Sequence, residues 1–152
     1  MNLAEITPLV ETSIAGLKVD PVLCRGQKPG QWSYKLKDAT VWIDVFTMES
    51  NPNKWYIQVM SPLCAVPDRK APEFFQDLLE INYKMFGAWM CKREGWLYVL
   101  NLRETENIDQ SEIDATLDRV AFYSTDYYAK LSFKYEGCWN PKPPVSTEGN
   151  RG

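Results

Sequence analysis

The sequence predicts an α+β domain in which a five-stranded, mainly antiparallel sheet carries helices in the order α-β-β-β-α-β-β-α. Two observations lead there. Three segments repeat their apolar residues at helical spacing, and between them lie short runs rich in β-branched and aromatic residues that alternate in polarity. A third observation sets the pairing: successive runs are joined by links of a few residues carrying Asp, Asn, Pro or Gly, which suit tight reversal and not a crossover.

The first helix is read in "LAEITPLVETSIAGLKV", where Leu3, Ile6, Val10, Ile14 and Leu17 share a face, with Pro8 marking where its regular part begins. "RGQKPGQ" is a loop, and its glycines lack the spacing of a phosphate-cradling turn. Three strands follow, "QWSYKL" (Gln31 to Leu36), "TVWIDVFTM" (Thr40 to Met48) and "KWYIQVM" (Lys54 to Met60), forming a meander. After a loop "SPLCAVPDRK", a second helix runs from about Ala71 to Phe86, with Pro72 tolerated in its first turn. Its apolar residues, among them Phe74, Phe75, Leu78, Leu79, Ile81 and Phe86, cover an arc wider than the roughly 100° stripe that one contact demands. The hairpin "AWMCK" and "WLYVLNL" turns at "REG", where Gly95 accommodates positive φ. Asp109 and Glu112 stand at capping-box spacing and open the third helix, which continues through Ile113, Leu117, Val120 and Leu131. A single domain over residues 1–135 is expected, with a Pro- and Gly-rich tail over 136–152 that is disordered or loosely packed.

Composition removes many functions. The chain has 152 residues, 17 basic and 20 acidic side chains, a net charge of −3 and a pI near 5.1. Neither nucleic acid nor an anionic membrane is favoured by that balance. No histidine is present, which takes away the commonest general base, the commonest metal ligand and every Ser-His or Cys-His pair. Cys24, Cys64, Cys91 and Cys138 are widely spaced, as reduced thiols of a cytoplasmic protein would be, and they lack zinc-site spacing. No apolar run nears the roughly 20 residues of a membrane span, and the N-terminal segment lacks the features of a signal peptide. No cofactor is expected.

With the order of elements in hand, the stretch "FFQDLLEINYKMFGAWMCKREGWLYVLNLRETENIDQSEIDATLDRVAFYSTDYYAKL" resembles the YbjN-domain family. Asn82, Phe86, the turn Arg93 to Gly95 and the pair Tyr127-Tyr128 occupy the positions that carry the resemblance. Among its members the chain is most similar to cyanobacterial and plastid ones. The family is similar in fold to the type III secretion chaperones, small acidic α+β proteins that dimerise and hold extended segments of partners. The resemblance implies that fold and a chaperone-like or regulatory role, and it carries no active-site residue.

The candidate constellations have bland alternatives. Asp109, Glu112, Asp114 and Asp118 could hold a cation, but carboxylates crowd a helix start because the dipole favours them there. Cys64 and Cys91 have nothing beside them to lower their pKa. Lys92 and Arg93 beside Trp89 and Trp96 could stack on single-stranded nucleic acid, yet one basic pair is too little.

The strands are more informative, because two of them are apolar on both faces. Val41, Ile43, Val45, Ile57, Val59, Leu97 and Val99 form a compact β-branched set suited to a core under helices. Trp42, Phe46, Met48, Tyr56, Met60, Trp96 and Tyr98 form the other set, large or adaptable, and share their face with Asp44 and Gln58 as an interface does. Either a helix of the same chain or a second polypeptide could cover it, and either parity is compatible with the pattern. Together with Phe75, Leu79 and Phe86 of the second helix, this set is the candidate protein interface. Three functions stay open: a non-enzymatic adaptor binding a partner segment through a homodimer, a small-ligand sensor, and a histidine-independent enzyme.

The cysteine spacing predicts four free thiols by titration in denaturant without reductant, and unfolding midpoints that a chelator does not move. Recovery of two thiols, or a chelator-dependent midpoint, would contradict it.

Overall fold

A computed structural model describes residues 1–139. Its elements are α1 (Leu3–Gly16), β1 (Gln31–Leu36), β2 (Ala39–Met48), β3 (Asn51–Ala65), α2 (Ala71–Lys84), β4 (Trp89–Arg93), β5 (Trp96–Glu104) and α3 (Gln110–Lys134), in the expected order. The strands form one sheet, β1-β2-β3-β5-β4, with every neighbouring pair antiparallel.

α1 and α3 begin where side chains satisfy their free N–H groups, whereas α2 starts after a left-handed Lys70 with no side-chain cap and with Pro72 in its first turn. Asp109 caps α3 by accepting from the Glu112 N–H at 2.9 Å, while the Glu112 carboxylate accepts from the Asp109 N–H, as the spacing predicts. α1 has the same device one turn earlier than expected. Asn2 accepts from the Glu5 N–H, and Glu5 accepts from the Asn2 N–H at 2.8 Å. Pro8 therefore lies inside the helix and does not mark its start. The Asn-x-x-Glu spacing was the readable signal there.

β3 also differs from expectation. It continues through Ser61–Ala65, a stretch that the sequence reading places in a loop and that contains Pro62. A proline in a central strand is admitted at a bulge, where its missing N–H breaks no ladder bond, and the register with β5 shifts between Pro62 and Cys64. The shift turns both Leu63 and Cys64 into the core. The β4–β5 hairpin closes on Glu94 and Gly95 with φ of 52° and 83°, the left-handed pair that matches strand twist.

All three helices lie on one side of the sheet. Ile6, Val10 and Ile14 of α1, Phe74 and Leu78 of α2, and Ile113, Leu117 and Val120 of α3 bury Val41, Ile43, Val45, Ile57, Val59, Leu97 and Val99. Burying one such aliphatic side chain contributes about 1.5 to 3 kcal/mol, so this layer supplies most of the apolar stabilisation. Ser61 of β3 donates to Ser124 of α3 at 2.7 Å inside it, which satisfies two hydroxyls that would otherwise be costly to bury. At the α1–α3 contact, Gln110 donates to the Leu9 carbonyl at 2.8 Å and Ser13 donates to Asp114 at 2.5 Å.

Both sheet edges are protected. The Ser33 N–H donates to the Cys24 carbonyl at 2.8 Å and the Gly26 N–H to the Gln31 carbonyl at 2.7 Å, so the 24–26 loop covers the first half of β1. Gly30, at φ +87°, lets the chain enter β1 so close to Val45 that a Cβ would sit 2.6 Å from the Val45 carbonyl oxygen. At the other edge Asn82 of α2 takes the place of a neighbouring strand: its amide accepts from the Met90 N–H at 2.6 Å and donates to the Met90 carbonyl at 3.2 Å.

The expected tail is described as far as Trp139. Tyr135 is buried against the Phe74 ring, with centroids 5.1 Å apart, and its hydroxyl donates to Asp77, which also takes Lys134 at 2.7 Å. Cys138 and Trp139 pack on the main core, and Arg69 donates to the Gly137 carbonyl at 2.6 Å. Residues 140–152 of that expected tail lie outside the described residues.

Asn82→Ala leaves the Met90 N–H and C=O at the edge without their partner, and should cost about 1 to 3 kcal/mol. Urea unfolding at constant m-value measures it, and an unchanged midpoint would mean that water replaces the amide without loss.

Candidate functional site

The face opposite the helices is built by alternation along the same strands. Register places Trp42 beside Met60, Asp44 beside Gln58 and Phe46 beside Tyr56 across β2 and β3. Across β3 and β5 it places Met60 beside Leu100, and across β4 and β5 Cys91 beside Tyr98. Trp42, Met60 and Tyr98 form a second apolar cluster, separate from the core under the helices, against which Cys91, Trp96 and Leu100 pack. The Trp42 and Tyr98 rings lie 6.0 Å apart and tilted, and Phe46 stacks on Tyr56 at 5.9 Å.

Exposure grades this face. Trp42 and Tyr98 are each 1% exposed, and Met60, Asp44 and Gln58 are also buried, whereas Phe46, Met48, Tyr56 and Trp96 are half-buried. The Gln58 amide donates to the Met60 sulfur at 3.3 Å.

The remaining candidates sit elsewhere. Phe75 of α2 is half-buried against the main core. Leu79 is 72% exposed, and Phe86, just beyond the end of α2, is 73% exposed with the Arg119 guanidinium of α3 4.9 Å from its ring. The Tyr123 hydroxyl of α3 accepts from the Phe86 N–H, which holds this residue on the helix side of the sheet. The seven strand residues are thus brought together on one face, and the three residues of the α2 region are not part of it.

Three further residues belong with these groups and were legible in the sequence. Leu100 follows Trp96 and Tyr98 by strand alternation, and Cys91 of β4 joins the cluster from the neighbouring strand. Tyr83, 92% exposed, lies one turn after Leu79 on the outside of α2, and the exposed Phe86 follows just past the helix end.

Features that suggested chemistry have structural roles. Burial pushes the Cys64 thiol up to about 12 and also raises Cys91, the opposite of what a thiolate nucleophile needs. Asp109 and Glu112 are held below the usual carboxylate range, Asp109 first by the Ser111 hydroxyl and Glu112 first by the Asp109 N–H, then by Arg103 at 2.9 Å. Asp114 instead accepts from Ser13. Among the described residues no three His, Cys, Asp or Glu side chains could together hold a metal ion. A groove of about 380 Å³ between the end of β1 and α3, lined by Leu36, Asp118 and Phe122 among others, is half open to solvent. Among the described residues no helix is long and apolar enough to cross a membrane.

Three helices on one side of an antiparallel sheet of this order match several solved structures. A chain of the ExsC–ExsE complex superposes with a TM-score of 0.65 over 86% of this chain and 97% of that one, at 12% identity. A chain of the HopA1–SchA chaperone–effector complex gives 0.60 over 85% and 98%, at 9% identity. A chain of the complex between the Yersinia pestis type III secretion chaperone SycH and a stable fragment of YscM2 gives 0.56 over 82% and 98%, at 11% identity. The fold is that of the type III secretion chaperones. At these identities the likeness is one of fold. No protein-family model and no curated protein matches the sequence.

The grading of the face predicts unequal costs for truncation. Trp42→Ala should lose about 3 to 5 kcal/mol, as a buried aromatic does, and Phe46→Ala clearly less because its ring is already partly wet. Denaturant titration of both variants checks this, and equal losses would show that the face has no firmly packed centre.

Proposed function

We propose that this protein is a non-enzymatic, chaperone-like or regulatory adaptor of YbjN type, which holds an extended segment of a partner protein on the aromatic face of its sheet. The observation that carries the reading is the firm Trp42, Met60 and Tyr98 centre bordered by the half-buried Phe46, Met48, Tyr56 and Trp96. Such a surface has the aromatic and methionine content of a binding site and a fixed floor, so that little ordering entropy is lost when a segment settles on it. The fold supports the reading because it is shared with structures whose names describe a chaperone–effector complex and a chaperone bound to a protein fragment. Asn82, one of the residues behind the YbjN resemblance, has a physical task here, since it closes the β4 edge.

In the same reading the protein works as a homodimer in the cytoplasm, and the exposed stripe Leu79, Tyr83 and Phe86 is where a second copy docks. Two large exposed side chains one turn apart on α2, with Phe86 just past its end, are exposed apolar surface of the kind that marks protein contacts. The small-ligand reading has less to stand on, because the groove between β1 and α3, lined by Leu36, Lys37, Asp118 and Phe122 among others, is an open surface groove and not an enclosed apolar pocket.

Two variants separate the halves of the proposal. Leu79→Glu with Tyr83→Glu should halve the mass seen by light scattering while circular dichroism stays that of the parent. A parent that is already one chain overturns the dimer. Phe46→Glu with Tyr56→Glu, compared with the parent in capture from the native cell, should lose one protein that the parent retains. Equal retention of every captured protein by a folded variant would place partner binding away from the sheet face.

A further inference from the structure

Arg119 of α3 is a fixed cation without an acceptor among the described residues. It is half-buried, with its guanidinium 4.9 Å from the centre of the exposed Phe86 ring. Gly87, at φ +64°, lets the backbone pass close beside it: a Cβ there would lie 2.8 Å from Nη1 and 3.1 Å from Cζ. The Phe86 N–H donates to Tyr123 and the Gly87 carbonyl accepts from Asn101 at 2.8 Å, so both neighbours of the guanidinium are themselves held. Arg25 and Arg103 each pair with a carboxylate, and Arg69 donates to a carbonyl. Arg119 has the aromatic ring alone. A guanidinium stacked in this way keeps its planar donor fork in one orientation, which favours bidentate binding of a carboxylate.

We infer that Arg119 receives Glu73 of a second copy of this chain, across a two-fold axis that crosses α2 at right angles near Leu79. The inference deepens the homodimer part of the proposed function and rests on it. Three observations select this occupant. The first is the surface: Leu79 and Tyr83, one turn apart on the outside of α2, and Phe86 just past its end adjoin Arg119, and aromatic and arginine side chains together make the centres of protein contacts. The second is position. At about 1.5 Å per residue Glu73 lies about 9 Å before Leu79 and Phe86 about 10 Å after it, so reversal of the helix sets the partner's Glu73 beside Phe86 and Arg119. Such an axis keeps the α3 side of α2 on the same side in both copies. Glu73 stands on that side, on the same edge of the helix as Glu80, which lines the groove against α3. The third is charge: Glu73 is exposed and makes no ion pair among the described residues, and the nearby Lys134 is held by Asp77 at 2.7 Å. An isologous contact forms the Glu73–Arg119 pair twice, once at each end of α2.

That symmetry supplies the test. A dimer of Arg119→Glu chains brings two carboxylates together at both ends of α2, and a dimer of Glu73→Arg chains brings two guanidinium groups together. A mixed dimer with one chain of each has opposite charges at both ends. Each variant alone should therefore read as one folded chain, by light scattering and circular dichroism, at a concentration where the parent reads as two. An equal mixture should regain the two-chain mass, with one isotopically labelled and one unlabelled chain per dimer in native mass spectrometry. A variant that dimerises as tightly as the parent, or a mixture of folded variants that stays at one chain, overturns the pairing. If Arg119→Glu does not fold, Arg119→Lys takes its place: carbodiimide should then join position 119 of one chain to Glu73 of the other, and a dimer without that link overturns the pairing. A parent that is one chain sinks this inference together with the homodimer. A parent dimer without rescue leaves the homodimer standing and removes only its Arg119 contact.

Discussion

Strict alternation of side chains along β2, β3 and β5 is the constraint on which this molecule depends. One parity carries Val41, Ile43, Val45, Ile57, Val59, Leu97 and Val99, and the other carries Trp42, Met60, Tyr98, Phe46 and Tyr56. A slip of one residue in any ladder would exchange the two sets, bringing tryptophans under the helices and valines to the opposite face. The core under the helices and the aromatic face are thus properties of one register. The short two-residue turn at Glu94 and Gly95 and the close approach of Gly30 to Val45 hold that register at two places far apart in the sheet.

The edges show a second economy of design. An open strand edge invites pairing with other chains, and a protein that handles extended segments would be especially exposed to that hazard. Here β1 is covered by the 24–26 loop and β4 by a single side chain, Asn82, which presents a donor and an acceptor at the spacing of a backbone amide. An Asp at that position would offer the acceptor and lose the donor; an Ala would lose both. The edge at Met90 is thereby closed to pairing with another strand.

Most of the fold was legible in the sequence because it rests on local patterns. The helical period located α3 and its Asp109–Glu112 cap, and β-branched runs with short links located all five strands. The departures both lie at prolines that the structure accommodates: α1 is regular from Leu3 and holds Pro8 inside it, where the missing N–H costs a single bond one turn in, and β3 runs on past Met60 through Pro62, which a bulge absorbs. The candidate site was legible for its strand residues, since alternation alone assembles Trp42, Met60, Trp96 and Tyr98. It was not legible for Leu79 and Phe86. A wide apolar arc on a helix says that two contacts exist, but the placement of α2 at the β4 edge, with Phe86 held by Tyr123 and Arg119, arises from tertiary contacts that no local pattern encodes.

Asp44 and Gln58 give the aromatic face its chemical character. They are neighbours across β2 and β3, both buried, between the firm cluster around Trp42 and the stacked pair Phe46 and Tyr56. A wholly apolar surface would accept any hydrophobic segment, because the hydrophobic effect is non-directional. A carboxylate at the centre adds a direction, since a charge taken out of water is tolerated only while hydrogen-bond donors or an opposite charge meet it, so that whatever covers this face has to leave the interactions of Asp44 in place.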